Sequence, residues 1–454
     1  MDKDLLFKYN IPGPRYTSYP TVPYWQKDAP TQSRWEETVW DAYKISNQKE
    51  GISLYIHLPY CESLCTYCGC NTRITINHAV EEQYIRTLLK EWSLYKRIFE
   101  DERPIIKEIH LGGGTPTFFS PKNLTLLITS LLADCDVHPQ AQFSFEAHPG
   151  NTTDEHLTAL YQVGFRRISI GVQDFNPAVL AVINRHQTFE QVKHLTEKSR
   201  EIGYTSVNYD VIYGLPLQKS CYIMETMMKV VQLKPDRIAY YSYAHVPWIK
   251  PGQRRYTEAD LPDPDKKMAL YETGKNALEL AGYKDIGMDH FALEKDSLYQ
   301  ASINGNLHRN FMGYTDAHTQ LLIGLGASSI SDTWWGFAQN EKKIEDYTQR
   351  VNNGKLPIFK GHLLTKEDLI LRKHILNLMT RFETTWQDPK DTCDELYEGL
   401  QRLEEMQDDG LVEITPYKLQ ITEAGRSFIR NACMALDARL RADSRKSELF
   451  SKTI

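Results

Sequence analysis

Short runs of β-branched and aromatic residues alternate with stretches of helical periodicity through most of the chain. Residues 53–58, 107–111, 142–146, 166–171, 206–213 and 237–243 read as strands. Between the first two, Val80, Tyr84, Leu88, Trp92 and Tyr95 recur every three or four positions, the spacing of one helical face. Further helices are predicted over 123–133, 154–162, 189–201, 222–233 and 266–281. Repeated strand–helix–strand order requires a parallel sheet with right-handed crossovers. About six such units predict an α/β fold, a partial TIM-like (β/α) barrel with its functional residues where strands end.

Both flanks break this pattern. Residues 1–50 are rich in Pro, Tyr and Trp, and 13–21 predicts an extended arm because proline disfavours helix at the residue before it. Near Thr365, Thr365-Lys366-Glu367-Asp368 resembles a helix start, followed by apolar Leu369, Leu371, Ile375, Leu378 and Met379. The runs 410–414 and 419–422 flank a Pro416-Tyr417 turn and predict a hairpin. The expected organisation is an arm over 1–50, a barrel domain over 51–360 and a mainly helical, winged-helix-like domain over 361–454. Winged helices often bind DNA, but 360–454 holds 15 Lys and Arg against 17 Asp and Glu, so a structural or substrate-covering role is expected.

The composition narrows the classes. Hydrophobic residues at 41% and charged residues at 25% exclude collagen-like, disordered and coiled-coil chains. A net charge of −6 gives no long-range attraction to nucleic acid or to anionic membranes. There is no bilayer-length apolar run, and Met1-Asp2-Lys3-Asp4 lacks the features of a secretory signal, so a cytoplasmic setting with reduced thiols is expected. Cys135, Cys221, Cys393 and Cys433 are scattered, whereas Cys61, Cys65, Cys68 and Cys70 crowd directly after the first strand.

Reduced thiols packed so tightly point to metal, because neighbouring thiolates repel and oxidise. Structural zinc usually pairs two distant C-x-x-C elements, and no second pair exists here. A cubane iron–sulfur cluster matches better, since one loop can supply three cysteines to three separate iron corners. Three ligands for four irons leave one corner open to a substrate. Nearby, Gly112-Gly113-Gly114 closes the second strand and Glu146 the third, on the same rim.

Cys61-x-x-x-Cys65-x-x-Cys68, with Tyr67 before the last cysteine, resembles the signature of the radical S-adenosylmethionine superfamily. The resemblance extends across the chain, through Pro14-Arg15-Tyr16-Thr17-Ser18-Tyr19-Pro20, Cys68-Gly69-Cys70-Asn71, Gly171-Val172-Gln173-Asp174-Phe175, Tyr213-Gly214-Leu215-Pro216, Gly287-Met288-Asp289-His290-Phe291 and His308-Arg309-Asn310-Phe311. These segments are similar to the oxygen-independent coproporphyrinogen III oxidases, or coproporphyrinogen dehydrogenases. The resemblance implies oxidative decarboxylation of two propionates of coproporphyrinogen III to vinyl groups, giving protoporphyrinogen IX in haem biosynthesis through a 5′-deoxyadenosyl radical. It also implies a [4Fe–4S] cluster, two S-adenosylmethionine molecules, a low-potential donor such as flavodoxin or ferredoxin, no nucleic-acid or membrane partner, and a monomer.

Carried over residue by residue, Cys61, Cys65 and Cys68 hold the cluster, and Cys70 is not a permanent ligand. Tyr55, Tyr67, Gly113, Gly114, Thr115 and Glu146 contact a first S-adenosylmethionine. Gln173, Arg185, Asp210, Ala244 and Ile330 line cofactor sites, some of them around a second. The substrate's four propionates need cations, for which Arg15, His308 and Arg309 are candidates. No classical acid or base is expected.

Plainer readings stand beside these: Glu146 as a helix cap, Arg185 in a surface ion pair, Ala244 and Ile330 as core, and His290 and His308 as internally satisfied histidines. Two other functions compete. One is a related haem-binding chaperone, a group that usually lacks both the arm and Cys70; the other is a radical methyltransferase that opens haem. Thr380-Arg381-Phe382 and the stretch 315–320 depart from the commoner family pattern.

Overall fold

The structure is a computed structural model that describes residues 3–100, 102–248, 250–442 and 450–453. Six strands, β1 (Ile52–Leu58), β2 (Ile105–Gly113), β3 (Asp136–Ala147), β4 (Phe165–Gln173), β5 (Ser206–Tyr213) and β6 (Arg237–Ser242), pair in chain order and all run parallel. Helices Val80–Ile98, Pro121–Leu132, Asp154–Gln162, Phe189–Ile202 and Ser220–Leu233 form the crossovers, where the sequence places them. Thr153 and Thr188 start two of these helices with reciprocal capping boxes, each satisfying orphan amide donors. The first helix buries Tyr84, Leu88, Trp92 and Tyr95 as its periodicity requires.

Antiparallel strands extend both edges. Beyond β6 lie β8 (His290–Ala292) and then β7 (Lys284–Gly287). Beyond β1, β9 (Leu322–Leu325) adds in parallel, followed by antiparallel β10 (Ile330–Asp332), β11 (Gly336–Asn340), β12 (Ile358–Leu363) and Gln26–Lys27. The result is a 13-stranded sheet with two free edges. Along β4, Ile170 and Val172 are buried in the main core, while Arg167, Ser169, Gly171 and Gln173 line a cavity; strand alternation separates the two sets.

The flanks differ from expectation in two places. Within 1–50, Gln32–Ser46 is a helix whose Trp35, Val39, Ala42 and Tyr43 are buried in the main core, so the arm is confined to the residues before it. Strand β12 keeps residues 358–363 in the large sheet, a few residues past the expected start of the C-terminal region.

The C-terminal region opens at the Thr365 capping box, where Thr365 and Asp368 bond reciprocally. The predicted hairpin forms from Val412–Thr415 and Lys418–Ile421, and Glu383–Thr385 joins it as a third strand. Tyr9, Tyr16 and Tyr19 of the arm are buried in this region's own core beside Leu371, Ile375 and Phe428. Arg430 fixes the arm further by donating to the carbonyls of Gly13 and Pro14, and also to those of Lys452 and Thr453. Pro12 bridges Lys452, and the Gly13 amide donates to Ser451 O at 3.0 Å. Among the described residues, no helix is long and apolar enough to cross a membrane.

Candidate active site

The loop after β1 carries the cysteine cluster, and the loop after β2 lies against it. The Gly114 amide donates to Leu58 O and the Thr115 amide to Tyr60 O, at 2.8 and 3.0 Å. Thr115 Oγ1 stands 3.3 Å from Cys61 Sγ. The glycines are sterically required. A Cβ at Gly114 would lie 2.7 Å from the Pro59 carbonyl carbon, and Gly113, at φ +114°, would place one 2.7 Å from the His57 ring. Glu146, ending β3, accepts from the Gly113 amide at 3.3 Å and lies 3.5 Å from His110 Nε2. It therefore serves the glycine turn and caps no helix.

Cys61, Cys65 and Cys68 line one cavity of about 400 Å³. Arg185, which the surface reading would expose, is buried, and its Nη1 donates to Cys65 Sγ at 3.7 Å; its other nitrogens bond Gln187 and the Gly171 carbonyl. The Cys70 amide donates to Cys68 Sγ at 3.4 Å. Hydrogen bonding from Cys70 pulls the Cys68 thiol down and pushes the Cys70 thiol up. Cys70 thus supports a neighbouring sulfur.

The donor set fits a cubane better than a single ion. Burial pushes the Cys61 thiol up to about 11, so a thiolate there at neutral pH needs a bound cation. Among the described residues, no three His, Cys, Asp or Glu side chains converge as one ion would require. Cubane ligands attach to separate iron corners.

The cavity continues down the sheet interior. Asp210 on β5 accepts from Ser169 Oγ at 2.9 Å and Asn208 Nδ2 at 3.0 Å; burial and then Glu146 push it up to about 6. Gln173 holds φ at +65°, a left-handed conformation unusual for a residue with a side chain. At the floor, Arg167 Nη1 donates to Asp316 at 3.0 Å and Arg237 Nε to Asp296 at 2.5 Å. Gln142, Ser206 and Ser297 complete this network. Against the cost of burial, Arg167 and Arg237 hold Asp316 well below the usual carboxylate range.

The cavity brings together most of the residues expected from sequence: the four cysteines, Tyr67, Gly113, Gly114, Thr115, Glu146, Gln173, Arg185 and Asp210. Tyr55 lies behind the cradle, its hydroxyl 3.1 Å from His57 Nδ1, and a Cβ on Gly112 would lie 3.1 Å from its ring. The Ala244 carbonyl accepts from Gln253, which also reaches Tyr67 O. Ile330 sits half-buried on β10, outside the lining.

The expected substrate cations separate. Arg15 pairs with Asp289, and Arg309 is buried beside it, donating to Arg15 O at 3.3 Å. His308 instead lies tilted against His318, ring centres 4.2 Å apart, and faces a different pocket with Trp334 and Arg372. The cause is strand alternation: consecutive residues of His308–Asn310 point to opposite faces. Tyr241 and Tyr314 line the cavity although the sequence reading did not select them, and so does His290, which that reading held only as an internally satisfied histidine. The usable signal was polar residues at every second position of otherwise apolar strands, as in Ser206, Asn208 and Asp210.

Residues 55–230 match the radical SAM superfamily. The chain is 37% identical to the oxygen-independent coproporphyrinogen III oxidase of Salmonella typhimurium over 100% of its own length and 98% of that protein. It is 36% identical to the oxygen-independent coproporphyrinogen III oxidase of Escherichia coli (strain K12), with the same coverage. Among solved structures, coproporphyrinogen III oxidase (HemN) from Escherichia coli, a radical SAM enzyme, superposes with a TM-score of 0.89 at 36% identity, covering 96% of this chain and 98% of that one.

Proposed function

Because the chain belongs to the oxygen-independent coproporphyrinogen III oxidases of the radical SAM superfamily, we propose that the rim of cysteines, glycines and Glu146 is where its cofactors sit. The enzyme uses a [4Fe–4S] cluster and S-adenosylmethionine and oxidatively decarboxylates two propionates of coproporphyrinogen III, giving protoporphyrinogen IX in haem biosynthesis. When bound, these groups supply the 5′-deoxyadenosyl radical that an unactivated methylene C–H requires.

The chain's own residues bind, orient and exclude water. Cys61, Cys65 and Cys68 hold the cluster, and Arg185 and Cys70 stabilise their sulfurs through the hydrogen bonds to Cys65 and Cys68. Gly113 and Gly114 let the methionine group approach the backbone, with Tyr67 and Thr115 beside it. The Glu146 carboxylate takes ribose hydroxyls. Asp210, Gln173 and Ala244 would hold a second S-adenosylmethionine, for whose cationic sulfonium the Asp210 carboxylate would supply the opposite charge. The floor network closes the far end with its charges already paired. Both the arm and Cys70, which related haem chaperones usually lack, accord with an oxidase.

The protein acts as a monomer in the cytoplasm with a low-potential flavodoxin or ferredoxin as donor. That donor approaches by the turn Pro251–Arg255, which carries Arg254 and Arg255; its Gln253 donates to Tyr67 O, and Lys250 Nζ just before it lies 3.4 Å from Cys70 O. An Arg254→Glu/Arg255→Glu variant should turn over slowly with the carrier and normally with dithionite; equal turnover with both would discard this approach.

One observation carries the proposal: three cysteines, a glycine cradle that tolerates no side chain, and a strand-end carboxylate surround a single cavity mouth. Anaerobic reconstituted protein with coproporphyrinogen III, S-adenosylmethionine and a strong reductant should yield protoporphyrinogen IX and 5′-deoxyadenosine by mass analysis. Nucleoside release without the tetrapyrrole product would assign the site to another radical reaction.

A further inference from the structure

Buried positive charge goes unanswered at one place beside the cavity. Arg309, 6% exposed, lies over the Tyr314 ring at 4.5 Å. Its Nη2 donates to Arg15 O, while Nε and Nη1 have no partner. His290, 9% exposed, stands edge-on to the same ring at 5.1 Å and to Tyr241 at 5.7 Å, close enough to Arg309 to feel its charge, and its Nδ1 also has no partner. Three polar atoms on two buried side chains therefore lack a hydrogen bond around one aromatic ring in the cavity wall.

The neighbouring cations do not share this condition. Arg15 meets Asp289, Arg237 meets Asp296, and Arg430 donates to four main-chain carbonyls. A buried guanidinium with idle donors is costly unless an anion completes it.

We propose that Arg309 and His290 form a carboxylate subsite that takes one propionate of the tetrapyrrole and seats the macrocycle against the wall of Tyr241 and Tyr314. This rests on the substrate being a porphyrinogen carboxylate. The chemistry suits a single monoanion. Burial, with Arg309 and Arg15 close by, holds His290 down to about 3, so it is a neutral hydrogen-bond donor and Arg309 supplies the one charge. A guanidinium binds a carboxylate through two parallel hydrogen bonds. Arg15 then acts as a positioning residue, its charge spent on Asp289 and its carbonyl holding Arg309.

The test uses coproporphyrin III, the stable oxidised form of the substrate, and its tetramethyl ester, with binding to the full chain followed by fluorescence quenching. Wild type should bind the acid at least tenfold more tightly than the ester, on the scale of a charge-assisted hydrogen bond. Arg309→Leu should weaken acid binding about tenfold to a hundredfold and leave ester binding unchanged. Arg309→Lys should recover part of the loss, and His290→Gln should lose less than Arg309→Leu. Equal wild-type affinity for acid and ester overturns the subsite, and this comparison decides even if a variant fails to fold. A folded Arg309→Leu protein that binds the acid like wild type, or loses acid and ester binding in parallel, overturns it too. Wild type that binds neither compound instead overturns the tetrapyrrole reading on which the subsite rests.

Discussion

The two ends of the sheet interior treat polar groups in opposite ways. At the floor, Arg167, Arg237, Asp296 and Asp316 answer one another, and Gln142, Ser206 and Ser297 supply further hydrogen bonds. At the rim, a thiol is held above its ordinary range, a carboxylate is pushed up to about 6, and Gln173 keeps a left-handed backbone. The floor spends its charges on structure, whereas the rim holds groups in states that a ligand would relieve. One scaffold thus separates stability from chemistry by depth.

Breaking the rim should cost the most activity. Cys65→Ala should abolish product formation and lower bound iron and sulfide while the protein stays folded; retained turnover would remove Cys65 from the ligand set. Gly114→Ala sets a Cβ against the Pro59 backbone, and a displacement of that order should cut turnover about a hundredfold with little change in melting temperature. The floor should respond in the reverse sense. Asp316→Asn leaves Arg167 short of a buried counter-charge and should cost about 3–5 kcal/mol of stability in denaturant unfolding, with activity per folded molecule largely kept. Equal activity loss at both ends would erase the distinction.

The smallest effect concerns pH. Asp210 binds its proton more tightly folded than unfolded, so its stabilising contribution is full below about 4 and is lost as pH rises through about 6. A cationic sulfonium prefers the ionised form. S-adenosylmethionine should therefore bind about tenfold more weakly at pH 5 than at pH 7, and Asp210→Asn should flatten the profile. A flat wild-type profile in calorimetry would move Asp210 away from the sulfonium.

The six parallel strands and their helices were legible because each spans enough residues for periodicity to show, as with Tyr84, Leu88 and Trp92. The edge strands were not: β7 to β10 span three or four residues each, too few for alternation to register. Helix Gln32–Ser46 was hidden by the proline-rich stretch before it. Most of the rim was legible because local spacing places the cysteines, the glycine turn and Glu146 directly at strand ends. His308 was misdirected because adjacent strand residues face apart, which a motif of neighbouring letters does not express. His290 was named but read as internally satisfied, since an unpartnered nitrogen shows only once three segments have assembled around it.

The clasp between residues 12–14 and residues 451–453, locked by Arg430, sets an order of events during synthesis. The arm leaves the ribosome first yet cannot seat until some four hundred later residues have followed, roughly the span of a large multidomain chain. The arm's final contacts therefore join the two most distant described stretches of the chain, and they are among the last that the fold can make.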